Sequence, residues 1–124
     1  MDSHSLVESK KVCYREFMRL LRDMILWAAV VEIPTALARF GLGLESTRDT
    51  AGIVGKLTLG LRIHHGYVGI LLLLAGWWMS PSCRYREGIL ILGGALTLSD
   101  AFHHFVLLWL VTGSPQFDLF YPAL

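Results

Sequence analysis

Three long stretches of this sequence carry almost no charge, and this feature constrains the fold more than any other. The stretches cover residues 24–43, 61–80 and 88–113. Each has at least 20 residues, about the number that a helix needs to cross the hydrocarbon core of a bilayer. Between Val68 and Met79 the middle stretch is apolar on every face, whereas a surface helix of a soluble protein carries a polar stripe. The sequence therefore favours helices that cross a membrane.

The composition supports the same interpretation. Apolar residues make up 54% of the chain and charged residues 17%, against about 45–50% and 25% in soluble proteins. A soluble α protein would have to cover three apolar helices with the polar surface of only 124 residues. We therefore predict an all-α integral membrane bundle of three transmembrane helices at residues 24–124, with its second helix beginning near Gly52 or, alternatively, near Leu61. The predicted spans are about 24–43, 53–79 and 88–112.

Residues 1–23 are predicted to form an amphipathic helix at the membrane interface. Apolar side chains recur there at helical spacing, and basic side chains fall on another face, which suits an anionic membrane surface. Packing against a partner subunit would produce the same pattern. This segment and the loop between the second and third spans together hold seven Lys and Arg, against at most three in the first loop. The N-terminus is therefore predicted inside and the C-terminus outside, in a bacterial or archaeal cytoplasmic membrane.

Polar residues inside the predicted spans are the main functional signal. Four of the five histidines form two adjacent pairs, and Asp100 precedes the second pair by three and four residues, which places it on the same helix face. The predicted helix directions bring both pairs and Glu32 to a shared depth. Ionisable groups in a bilayer are costly, so they face the bundle interior and usually serve function.

Imidazole and carboxylate together are typical ligands of Fe, Cu, Mn and Zn. We therefore predict an intramembrane transition-metal site in a small metal-dependent enzyme, redox or hydrolytic, or in a metal-handling subunit. The candidate ligands are His64, His65, Asp100, His103, His104 and Glu32.

Two alternatives use the same residues differently. The cluster could be a structural or proton-binding hydrogen-bond network in a non-enzymatic subunit of a larger complex. It could instead hold haem b, which needs one axial histidine on each of two facing helices. Glu32 could also pair with Arg39, seven residues further along the same helix face.

One short run of residues in the third stretch resembles a known sequence motif. Asp100-Ala101-Phe102-His103-His104 is similar to the H-x-x-H-H boxes of membrane desaturases and hydroxylases, which hold two irons. The first position is Asp here, and those families are much longer and use more histidines than this chain has. The resemblance covers five residues and assigns no family.

The expected surroundings are a lipid bilayer and protein partners. A chain this small has little room for a substrate cavity, which favours self-association into a homo-oligomer or membership of a larger membrane complex. The formal net charge of +1 provides no basic field to attract phosphates, so nucleic acid is not expected as a partner.

Overall fold

The computed structural model describes residues 3–121, and these residues form helices and connections without a β-strand. The two ends of the chain, residues 1–2 and 122–124, lie outside the described residues. They belong to the predicted segments 1–23 and 24–124. The α-helices are α1 (Ser3–Ala36), α2 (His65–Trp78), α3 (Arg86–Phe102) and the short α4 (Trp109–Thr112). Wider π-helical turns cover Leu37–Gly41, Ser46–Gly55 and His103–Leu108.

Two helical segments are long and apolar enough to cross a membrane. They are Ser5–Gly41, with 37 residues, and Arg86–Thr112, with 27 residues. The predicted interfacial segment 1–23 and the first span therefore belong to one helix, which has no interruption at residue 23. Pro34 lies inside α1 and removes one backbone hydrogen bond. The wider π-helical turn Leu37–Gly41 begins three residues after Pro34.

The predicted helix 53–79 is interrupted in the structure. The chain leaves its π-helical turn after Gly55, passes through an extended stretch, and begins α2 only at His65. Leu59 has a φ of 55°, a left-handed conformation that a branched side chain rarely adopts. Gly60 follows with a φ of 84° and is suited to that conformation. The 14 residues of α2 measure about 21 Å, which is shorter than the hydrocarbon core.

Helix α3 packs against both other long helices, and α2 runs antiparallel to it. The two backbones touch where Gly69 faces Gly93. A Cβ atom added at Gly69 would lie 2.7 Å from the Gly93 carbonyl oxygen, and one added at Gly93 would lie 2.8 Å from the Gly69 carbonyl oxygen. Small residues at this crossing therefore permit the close approach of α2 and α3.

Helix α1 runs parallel to α3. At one end, Arg19 Nη1 lies 3.0 Å from Glu87 Oε1, and Met24 packs on Gly94. At the other end, α1 reaches the π-helical turn that extends α3. The bundle therefore has an up, down, up arrangement of α1, α2 and α3.

The interior of the bundle is polar and its outside is apolar. Among the described residues, the buried hydrophobic side chains are those of Ala28, Ala95 and Leu108. The buried polar or charged residues are Glu32, Arg62, His64, Ser99, Asp100, His103 and His104. Large apolar side chains point outward, with exposed fractions of 85% at Trp78 and 81% at Leu110. Buried polar groups beneath an exposed apolar surface are the reverse of a soluble domain.

Candidate functional site

The buried polar residues meet at one end of the bundle, around a cavity of about 490 Å³. The end of α1, the extended stretch before α2 and the end of α3 all contribute. The polar residues that line it are Thr35, Arg39, Glu45, Arg62, His64, His65, Asp100, His103, His104 and Gln116. All six residues predicted from the sequence lie in this region, and five of them line the cavity. Glu32 is the exception, because it lies behind His103.

Both carboxylate oxygens of Glu32 accept hydrogen bonds. Ser99 Oγ donates to Oε2 over 2.8 Å, and His103 Nδ1 lies 2.7 Å from Oε1. An ionised carboxylate only accepts, so an ionised Glu32 requires a proton on His103 Nδ1. The neutral ring then has its lone pair on Nε2. Glu32 does not pair with Arg39, whose acidic partner is Glu45, with 2.6 Å between Nη1 and Oε1.

His104 has the same tautomer for a different reason. Its Nδ1 lies 2.8 Å from the carbonyl oxygen of Pro115, which can only accept. The Nδ1 atom therefore carries the proton, and Nε2 has the lone pair. Both histidines of this pair begin the π-helical turn His103–Leu108. Such turns are rare and are frequent at functional sites.

Asp100 Oδ1 lies between two imidazoles. It is 3.3 Å from His65 Nδ1 and 3.9 Å from His104 Nε2. Oδ1 is buried and has no hydrogen-bond partner among the described residues. Gly66 makes this position possible, because a Cβ atom there would lie 2.6 Å from Asp100 Oδ2 and 2.9 Å from Asp100 Cβ.

His64 is held by ring contacts. Its ring stacks on Phe117, with centroids 4.4 Å apart, and contacts His104 edge-on at 4.8 Å. Tyr67 lies on another side at 5.3 Å. The His64 ring is buried, yet neither nitrogen has a hydrogen-bond partner among residues 3–121. A buried polar group without a partner is costly, so these nitrogens are expected to be satisfied by water or by another partner.

Several residues of the site were not predicted from the sequence. Ser99 and Arg62 are not among the predicted site residues, yet both are buried here. Phe117 and Pro115 come from the tail, which folds back over the site. An antiparallel bridge between Leu61 and Phe120 holds the tail in place. No residue-type pattern marks these tail contacts, because one of them uses only a backbone carbonyl group.

No group of three or more His, Cys, Asp or Glu side chains within residues 3–121 is arranged to hold a metal ion. No protein-family model, curated protein or solved structure matches the chain. The class that the fold defines is a helical protein with two helices long and apolar enough to cross a membrane. Its chemistry has to be argued from its own side chains.

Proposed function

We propose that this chain is an integral membrane protein that binds one divalent transition metal ion, Fe, Cu, Mn or Zn, at the polar end of the bundle. The main support is the hydrogen bonding of His103 and His104. Each ring has Nδ1 occupied by an oxygen acceptor, which leaves the Nε2 lone pair for a ligand. Metal-bound histidines almost always donate their other N–H to a carboxylate or a backbone carbonyl group.

The distances around Asp100 are compatible with this proposal. Two ligands at about 2.1 Å from a tetrahedral ion lie roughly 3.4 Å from each other. Asp100 Oδ1 is 3.3 Å from His65 Nδ1 and 3.9 Å from His104 Nε2, so each of these two contacts lies within about 0.5 Å of ligand spacing. His64 would complete the set by rotating its ring, since neither of its nitrogens is engaged. Glu32 then serves as the carboxylate behind His103 and not as a ligand.

The charge balance of the site also favours a cation. Arg39 lies beside Glu45, and Arg62 lies beside Asp118. Glu32 and Asp100 are buried beside histidines instead. Two buried carboxylates are expensive unless compensated. A divalent ion would balance them, as would two protonated imidazoles, which is the alternative of a proton-binding network.

The proposal includes three membrane crossings. Helices α1 and α3 run parallel, so if both cross the bilayer in one direction, the chain between them has to return across it. Helix α2 is short, but the extended stretch before it lengthens the path. Irregular backbone at membrane depth is tolerated where protein buries it, and Arg62 and His64 of this stretch are buried. By the Lys and Arg counts, the N-terminus lies inside.

The proposed chemistry is that of a small metal-dependent membrane enzyme. A bound ion with an open ligand position would activate water or a substrate oxygen. The cavity gives that position room beside Asp100 and the histidines. Asp100 Oδ1 has no hydrogen-bond donor within residues 3–121, so it is suited to bind the ion or to accept a proton from bound water.

The test is elemental analysis with an optical spectrum on detergent-purified protein made without a His-tag or added metal. We expect about one ion per chain in the wild type and its loss in Asp100→Asn and His104→Ala. Asp23→Asn is the matched control, since Asp23 pairs with Arg22 far from the cavity. Full retention of metal in both site variants would overturn the ligand set. Folded wild-type protein without metal would favour the proton-binding network, and a Soret band would favour haem.

A further inference from the structure

Two arginines share the cavity with the histidines. Arg39 comes from the π-helical turn after α1, and Arg62 comes from the extended stretch before α2. Both side chains line the cavity, and their exposed fractions are only 16% and 10%. Two segments distant in sequence therefore bring like charges to the same cavity.

A single residue of the tail contacts both guanidinium groups. Arg39 Nη2 donates to Gln116 Oε1 over 3.2 Å, and Arg62 Nη1 donates to the Gln116 carbonyl oxygen over 3.2 Å. Gln116 Nε2 in turn donates to Thr112 Oγ1, which fixes the orientation of the side-chain amide. The Gln116 backbone has a φ of 49°, which is unusual for a residue other than glycine. Such strain persists where the surrounding structure imposes it, and it is frequent at ligand sites.

An exposed carboxylate lies beside each of the two arginines. Glu45 is 41% exposed, and Asp118 is 69% exposed and 3.6 Å from Arg62 Nη1. Ion pairs with such exposed carboxylates contribute little stability. A ligand anion inside the cavity would therefore replace them at low cost.

We propose that Arg39 and Arg62 bind the phosphate group of the ligand that enters this cavity. Guanidinium groups match phosphate oxygens with paired N–H donors, and two of them supply more paired donors than one planar carboxylate can accept. This inference rests on the proposed function, because it names the substrate class for the same metal site. The phosphate belongs to a lipid headgroup or to a soluble compound, and these two sources share the chemistry.

The test is calorimetric titration of inorganic phosphate into the protein in nanodiscs of a phosphate-free galactolipid, with and without prior removal of metal by a chelator. We expect saturable binding in the wild type. It should weaken about 10-fold or more in Arg39→Gln and Arg62→Gln, and less in Arg62→Lys, which keeps the charge without the paired donors. Arg84→Gln is the control, because Arg84 lies over the Tyr85 ring in the loop at the opposite end.

The outcomes separate this inference from the proposed function. Arginine-dependent phosphate binding to wild-type protein that is purified without any bound metal would support the phosphate site and overturn the metal site. Metal without phosphate binding, or equal phosphate affinity in all variants, would overturn the phosphate site. Acetate binding as tightly as phosphate would also overturn it.

Phosphatidic acid in the nanodisc should suppress phosphate binding if the ligand is a lipid and leave it unchanged if the ligand is soluble. Thermal unfolding of each variant shows whether phosphate binding is lost because the variant is misfolded.

Discussion

Glu32 and His103 are separated by 71 positions in the sequence and are joined by a contact of 2.7 Å between Oε1 and Nδ1. Ser99 occupies the other carboxylate oxygen. This arrangement holds one charged side chain of α1 against the end of α3 and fixes the tautomer of His103. It also connects the packing of the two parallel helices to the chemistry of the cavity.

Replacing Glu32 by Gln should weaken metal binding without removing it. The amide oxygen can still accept a hydrogen bond from His103, but the charge that makes the imidazole a stronger ligand is lost. We expect a drop of about 10- to 100-fold in metal affinity, measured by competition with a chelating dye. Glu16→Gln is the control, because Glu16 is exposed and pairs with Arg19. Equal affinity in Glu32→Gln and the wild type would exclude Glu32 from this role.

Replacing Gly66 by Ala should destabilise the bundle and displace Asp100. The added methyl group would lie 2.6 Å from Asp100 Oδ2, and overpacking of this kind costs about 1–3 kcal/mol. We expect a lower thermal unfolding midpoint in detergent together with less bound metal. Gly88→Ala in α3 is the matched control, since nothing lies within 4 Å of its added Cβ. It should keep the metal and be neutral or slightly stabilising. If both variants behave alike, the close approach at Gly66 has no role.

Acidification should release the metal. The imidazoles have to be deprotonated to bind an ion, so protons compete with it. We expect the apparent affinity to be unchanged at high pH and to fall at least about 10-fold per pH unit below roughly pH 6, where imidazoles take up protons. The measurement is metal retention after dialysis at a series of pH values. Retention that does not change with pH would contradict ligation by His64, His65, His103 and His104.

Labelling of the native cysteines tests the three crossings. Cys13 is exposed and Cys83 is partly exposed, and both should lie on the cytoplasmic side. A membrane-impermeant maleimide should therefore modify each of them in inside-out vesicles and neither in right-side-out vesicles. The variants Cys13→Ser and Cys83→Ser separate the two signals. Modification of the two cysteines from opposite sides would leave α2 outside the membrane.

The convergence of the histidines and carboxylates could be predicted from the sequence because it depends on helical geometry. The spacing of Asp100 from His103 and His104 sets their shared face, and apolar length sets the depth of each pair. The apolar lengths of the first and third stretches likewise predict the two long helices found there. Two of the three predicted spans therefore correspond to helices of sufficient length.

The break in the second stretch could not be predicted in this way. Residues 53–61 are mostly apolar, and hydropathy does not register the left-handed backbone at Leu59. The different roles of Glu32 and Asp100 within the site could not be predicted either. Both Glu32 and Asp100 are acidic residues within apolar stretches, so the sequence does not distinguish them. In the structure, both carboxylate oxygens of Glu32 have a hydrogen-bond partner. Asp100 Oδ1 has none among the described residues.

The link between Glu32 and Ser99 has a consequence for biosynthesis. Ser99 is made 67 residues after Glu32, which is a delay of roughly 3–13 s at ordinary rates of translation. During that interval the Glu32 carboxylate has neither of the donors that satisfy it in the finished bundle. A charged side chain is costly within lipid, so in the proposed three-crossing arrangement α1 would reach its final depth only when α3 arrives. In that arrangement the synthesis of α3 would complete the membrane insertion of α1.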